Sequence, residues 1–264
     1  MPDNNPVENL FSSFCKQLLG VQKQATNIGV LLELGQVPLS TIALRNAIKN
    51  WVRIANNVNC NQYTLKSYEF SISKKLTWVS NIEHKLSEIG FRDLFLCKDE
   101  TTHLKAFERI VVIFHQEALS SIQSNDRKLR TYALLKETTG FENYLTEIKS
   151  IKKRTALTKL RLSNHKLMIE KGRHEGKDRS ERFCPFCPDD IENEMHFLLK
   201  CKAYKCIRQE FLDSAEKYVP PILERSDTQN FISLINKAPG PTSNFVYKAS
   251  EMREYLLRKH KVLG

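Results

Sequence analysis

Phe183–Cys201 reads FCPFCPDDIENEMHFLLKC, and Cys184, Cys187, His196 and Cys201 stand in it with the spacing C-x2-C-x8-H-x4-C. Three sulfurs and one imidazole are the soft and borderline donors that Zn²⁺ takes in a tetrahedron, and four protein ligands leave no position for water. The expectation is one structural zinc ion that holds a surface in shape and performs no zinc chemistry. A redox pair and inert thiols are the competing readings. A Cys184–Cys187 disulfide would be strained, and disulfide-rich chains are usually small and secreted, whereas this chain has 264 residues. Its seven cysteines are odd in number, and only this set is clustered. Cys206, five residues past Cys201, is the rival fourth ligand and reads better as a spare thiol. Cys15, Cys60 and Cys97 lie in apolar stretches, where a free cysteine acts as a small core hydrophobe. His165 and His174 suit solvated or phosphate-facing roles.

Upstream of the cluster the charge is concentrated. The chain carries 41 Lys+Arg against 30 Asp+Glu, a formal +11. Between Lys149 and Arg182 twelve basic residues face four acids, so this segment alone is +8. A charge run is often only a solvated face. Here it leads directly into the ligand cluster, as expected if both address one polyanion, and cations on phosphates gain affinity by releasing counterions. Lys152, Lys153, Arg154, Lys159, Arg161, Lys166 and Arg173 are the candidate phosphate contacts. A helix over Ile151–Leu162 would pack through Ala156, Leu157 and Leu160, with Lys152 and Lys159 on one margin and Arg154 and Arg161 on the other. Gly172–Ser180 reads as a loop feeding Cys184. Asp189 and Asp190 read as a turn, and His196 as part of a short helix opened around Ile191. Residues 196 and 201 lie about 140° apart on an ideal α-helix, so the chain should break near Cys201.

Elsewhere the apolar period is helical. Leu10, Phe11, Phe14 and Leu18 form a stripe ending at Gly20. Ser40 can cap a helix carrying Leu44, Ala47, Ile48, Trp51, Val52 and Ala55 on one face. Leu76, Val79, Ile82, Leu86 and Ile89 repeat the pattern as far as Gly90. Thr101 and Thr102 open a helix through Ile110, Ile113, Phe114 and Ala118, and another runs from about Asp126 to Thr138. A further helix carries Tyr204, Ile207, Phe211 and Leu212 and ends at Pro220-Pro221; Ala238–Pro241 then separates off a short basic helix. Trp51 and Trp78 read as core. The expected architecture is mainly α, a helical N-terminal region followed by a small zinc-knuckle module with a flanking helix. Its parts are a helical region at 1–148, the basic helix and zinc module at 149–218, and a tail with a short helix at 219–264. The longest wholly apolar run, Ile110–Phe114, is far short of the roughly 20 residues of a membrane span. No basic and apolar leader opens the sequence. An intracellular protein, nuclear or cytoplasmic, is expected.

The run from Leu157 to Arg173 (LTKLRLSNHKLMIEKGR), followed by Cys-Pro-Phe-Cys at 184–187 and Glu-Met-His-Phe-Leu-Leu-Lys-Cys at 194–201, resembles the C-terminal region of non-LTR, LINE-type retrotransposon reverse transcriptases. Phe14–Val21, Glu33–Leu39, Arg130–Lys136 and Phe245–Ala249 are similar to the portion that follows the polymerase core in the same proteins. The resemblance implies a CCHC knuckle at Cys184, Cys187, His196 and Cys201 that assists binding of template RNA or target DNA beside a polymerase core. Lys202 stands where a proline often follows the last ligand in that family. RNA, single-stranded or structured, is the favoured ligand, with DNA the alternative; Phe183, Phe186 and Phe197 either stack on a base or, as favoured, cover the metal.

No catalytic residue is expected. Two-metal nucleotidyl transfer needs clustered carboxylates, and the sole Asp-Asp pair, Asp189-Asp190, lies inside the knuckle. Neither a phosphate-binding glycine loop nor a nucleophile elbow occurs. The competing function is a zinc-dependent protein-interaction module that docks a partner such as the polymerase core, or a decayed transposon remnant.

Overall fold

A computed structural model describes residues 5–74, 77–98, 100–124, 128–136, 138–219 and 225–262. The protein is mainly α-helical, and the described residues form one two-stranded sheet. In chain order the helices are α1 (Pro6–Leu19), α2 (Asn27–Glu33), α3 (Leu39–Ala55), α4 (Gln62–Ser73), α5 (Thr77–Glu88), α6 (Arg92–Cys97) and α7 (Thr102–Ser124). There follow α8 (Arg130–Leu135), α9 (Tyr144–Glu147), α10 (Ile151–Arg161), α11 (Met168–His174), α12 (Lys205–Ala215), α13 (Asp227–Lys237) and α14 (Pro239–Val262). Strands β1 (Phe183–Cys184) and β2 (Cys187–Ile191) lie between α11 and α12. Among the described residues no helix is long and apolar enough to cross a membrane. The chain divides into two compact units, residues 1–11 with 36–120 and residues 12–35 with 121–264, so the stretch 1–148 is shared between them.

In the first unit the apolar period does what it predicts. Ile48, Trp51 and Val52 of α3 are buried with Tyr68, Val79, Ile82, Leu86 and Ala106, and Phe95 stacks on Trp51 at 4.8 Å. Leu76 of the expected stripe lies outside the described residues. Trp78 is half-exposed and donates its indole N–H to Ser71 Oγ. Ser40 is not the cap of α3. Glu8 takes that role, its carboxylate accepting from the amides of Leu39 at 3.1 Å and Ser40 at 2.6 Å, where a negative charge meets unpaired N–H groups. Cys60 is half-buried and Cys97 exposed, so of the three upstream cysteines only Cys15 is a core residue.

The stripe on α1 turns the other way from expectation. Leu10, Phe14 and Leu18 are 72, 55 and 58% exposed, while Ser12, Cys15 and Leu19 are buried. Both faces of this helix are apolar enough to pack, and the one with the smaller side chains is the one that does.

The second unit is organised around α10, α12 and α14. The segment after Ala238 is no short tail: α14 runs for 24 residues, with Pro239 and Pro241 in its first turn, where a missing N–H breaks no bond. It packs along α10 and α12 and buries Phe245, Val246, Ala249 and Arg253. The helix expected over 126–138 appears as Arg130–Leu135; residues 125–127, like Pro220 and Pro221, lie outside the described residues. The expected loop at Gly172 is part of α11. A Cβ there would sit 2.7 Å from Arg182 Cγ, so the glycine lets that side chain cross the helix.

Candidate metal centre

The two strands pair antiparallel with Cys184 opposite Cys187, so the intervening Pro185 and Phe186 make the tight turn of a knuckle and point both thiols to one side. Asp189 and Asp190 are strand residues, not a turn. The amide of His196 receives support from Asn193 Oδ1 at 2.8 Å. His196–Lys200 is then a π-turn, closed by the Cys201 amide donating to the His196 carbonyl at 2.8 Å. Such an i→i+5 turn brings the fifth residue back beneath the first, which an α-turn cannot do. The helix stops at Cys201, whose ψ of 123° is extended, as the ligand spacing required.

Cys184, Cys187, His196 and Cys201 are all buried, and their ligand atoms lie within 4.8 Å of one another, a group that could hold a metal ion. Cys201 Sγ is 3.8 Å from Cys184 Sγ and 3.9 Å from Cys187 Sγ, far beyond the S–S bond length near 2.0 Å. The imidazole tests the fit. His196 Nε2 is buried without a hydrogen-bond partner, while Nδ1 faces the Asp190 carboxylate at 3.8 Å. An orphaned ring nitrogen beside three thiols is costly unless an ion takes its lone pair, and a carboxylate on the other nitrogen is the usual outer partner of a metal-bound imidazole. Cys206 is exposed and outside the group.

Electrostatics favours the thiolate at Cys184. The hydrogen bond with Cys201 holds the Cys184 thiol well below its ordinary range, and His196 adds to this. That same hydrogen bond, with burial, pushes Cys201 up. Arg208 of α12 donates to the carbonyls of Leu198 at 2.9 Å and Cys201 at 2.7 Å, satisfying acceptors that the π-turn leaves open. Burial lowers its pKa, and the neighbouring Cys201 and Cys187 counter this. Phe197 and Tyr204 meet edge to face at 5.2 Å, and Phe197 also contacts Phe245 at 6.0 Å. Phe197 is thus buried in an aromatic cluster beside the ligand His196, Phe186 is half-buried against Tyr204, and Phe183 is exposed.

Two buried acids inside the ligand loop fasten it to the helices. Glu192 pairs with Arg253 of α14 through two bonds of 2.7 Å and accepts from the Met168 amide. Glu194 pairs with Arg130 of α8 at 2.7 Å and with His165 at 3.0 Å. Burial would raise the Glu194 pKa, but His165 and Arg130 outweigh it and hold it at about 2. Sequence patterning gives no signal for these pairs, because the arginine partners are 61 and 64 residues away.

The proposed phosphate contacts separate into two groups. Arg161 departs from expectation: it is 1% exposed, with Nε 2.6 Å from Glu33 and Nη2 2.7 Å from Glu142. Leu157, Leu160 and Arg161 share the buried arc of α10, so the margin expected to face solvent faces the core. Arg154 is half-buried and donates to the carbonyls of Leu145 and Ile148, and Arg173 is tied to Glu170 at 2.8 Å. Lys152, Lys153 and Lys159 have no acidic partner among the described residues, while Lys166 pairs with Glu254 at 2.7 Å on the surface. Lys152, Lys159 and Lys166 line one cavity.

Known protein families, curated proteins and solved structures offer no match to this chain. What the site could do chemically follows from its own geometry: an ion held by these four residues would join the hairpin to the π-turn, which Arg208 ties to α12.

Proposed function

We propose that this chain is the zinc-stabilised, nucleic-acid-binding C-terminal region of a non-LTR retrotransposon reverse transcriptase, acting by binding and carrying no catalytic centre of its own. The observation that carries the metal half is the sulfur spacing. A tetrahedron with Zn–S bonds of about 2.3 Å has an edge of about 3.8 Å, and the separations here are 3.8 and 3.9 Å. Three thiolates and an imidazole suit Zn²⁺ in preference to hard, oxygen-seeking cations. When bound, the ion supplies cross-linking to a loop with little apolar core of its own. The nucleic-acid half is supported by the lysines of α10 that pair with no acid among the described residues, on the segment that leads into the knuckle. The family assignment rests on the resemblance of the Leu157–Arg173 and knuckle sequences.

The test is a metal assay followed by a salt titration of RNA binding by the full chain, with and without chelator. One zinc per chain is expected, with an affinity that falls steeply with salt and is lost on chelation. Replacing Lys152, Lys153 and Lys159 together by alanine is expected to flatten the log–log slope by roughly two, at about 0.7 per phosphate on a single strand. Salt-independent binding, or none, refutes the nucleic-acid half.

A second reading has one observation in its favour. Val7, Leu10, Phe14 and Leu18 form an exposed apolar stripe on α1, and such faces mark docking surfaces. On this reading the helical part docks a partner such as a polymerase core. RNA affinity that appears only after the partner is added would favour it.

A further inference from the structure

Within the second unit, a cavity of about 450 Å³ opens between α10 and α14, next to the metal centre. Its deepest lining is apolar, from Leu160 and Phe197, which are 2 and 1% exposed; Phe197 directly follows the ligand His196. Lys152, Lys159 and Lys166 line the cavity together with the acids Glu251 and Glu254, and Lys166 pairs with Glu254 at 2.7 Å. Lys152 and Lys159 stand seven residues apart on α10, about 10 Å along the helix axis, and Lys166 continues the row beyond the helix.

Two polar groups in the lining are uncommitted. Asn164 is only 9% exposed, and its Oδ1 accepts from the Gln22 amide at 2.8 Å, leaving both Nδ2 hydrogens without a partner among the described residues. Glu251 of α14 lines the opposite side and forms no ion pair among the described residues. A donor and an acceptor above an apolar floor, with Tyr247 in the same lining, match the edge and face of a nucleobase. A bare phosphate fits worse, because it would meet the Glu251 carboxylate.

We infer that this cavity binds one unstacked nucleotide, its base held between α10 and α14 against Phe197 and read by Asn164 and Glu251, its phosphates on Lys152, Lys159 and Lys166. The volume lies within the range of small-molecule sites. The site deepens the nucleic-acid reading and rests on it where the nucleotide belongs to a strand. A free nucleotide offers the same chemistry. The arrangement gives the metal a positional role: by fixing the turn that carries Phe197, it sets the floor of the base site.

The experiment uses the full, zinc-loaded chain and a labelled oligouridine of about twelve nucleotides. It is compared with a strand of equal length lacking every base, with uridine monophosphate and with inorganic phosphate. Loss of the bases is expected to weaken binding roughly ten-fold at fixed salt while leaving the salt slope unchanged. Ala156→Trp, which fills the cavity from α10 without altering a charge, is expected to erase that ten-fold difference. Asn164→Asp, which keeps the acceptor for Gln22 and removes the donor, is expected to reduce it. Equal binding of the two strands overturns the inference and leaves salt-dependent nucleic-acid binding standing. A difference that survives Ala156→Trp also overturns it. Uridine monophosphate bound without any strand binding, and blocked by Ala156→Trp, supports the cavity and refutes the strand reading. Absence of binding by every probe refutes both.

Discussion

The unit that contains α3 to α6 buries Ile48, Trp51, Val52, Tyr68, Val79, Ile82, Leu86 and Ala106, and among its described residues no charged side chain is buried. The other unit buries Glu33, Lys136, Arg161, Glu170, Glu192, Glu194, Arg208 and Arg253 along with its metal ligands. One is held by removing apolar surface from water; the other adds paired charges, and a group that could hold a metal ion, to an apolar core. Apolar burial is non-directional and tolerates many arrangements, whereas a coordination sphere and a buried ion pair each accept very few. A fixed geometry is what a recognition site needs.

That contrast can be broken at its strongest point by removing the metal. Structural zinc contributes on the order of 10 kcal/mol to small modules. Cys201→Ser is therefore expected to abolish metal uptake and collapse amide-exchange protection across 183–215, with Ile48, Trp51 and Leu86 keeping theirs. Loss of protection in both units together would erase the distinction. Arg161→Met comes next. It strands the Glu33 carboxylate in the core and is expected to cost about 3–5 kcal/mol in denaturant unfolding, with much of that recovered in Arg161→Met/Glu33→Leu. A double variant no better than the single one would mean that the ion pair is not what fails. In the apolar unit Leu86→Ala is expected to cost about 2–5 kcal/mol through the cavity it leaves. The loss should not change with ionic strength, and a salt-sensitive loss would show charge at work there too. The smallest effect on stability is expected for Lys152→Ala/Lys159→Ala, within about 0.5 kcal/mol, because neither has an acidic partner among the described residues. Its readout is the RNA salt slope, and a large drop in melting temperature would place these lysines in the structure instead of the interface.

Sequence reading reached local features and missed distant ones, for a physical reason. The ligand set was legible because all four residues lie within one loop and their spacing follows from tetrahedral geometry. The spans of α3, α5, α10 and α12 were legible because a buried face writes its period into neighbouring residues. Arg161 was misread as a surface cation because its partner Glu33 is 128 residues away, and nothing near Arg161 announces a buried acid. Glu192 and Glu194 were invisible for the same reason. The α1 stripe shows the converse limit: a period identifies an apolar face without saying that the face is covered. Gly172 and the Pro-Gly-Pro at 239–241 read as breaks, yet tertiary packing and first-turn geometry admit both into helices.

The π-turn at His196–Lys200 carries a consequence for how the motif tolerates insertions and deletions. Removing one residue from Phe197–Lys200 would leave a histidine and a cysteine four apart, which an ordinary α-turn already stacks on one face. The centre could then close without the widened turn, but the carbonyls of Leu198 and Cys201 would no longer meet the Arg208 guanidinium as they do now. A shortened loop should thus still capture its ion while losing its grip on α12, uncoupling metal loading from the helix it is meant to hold.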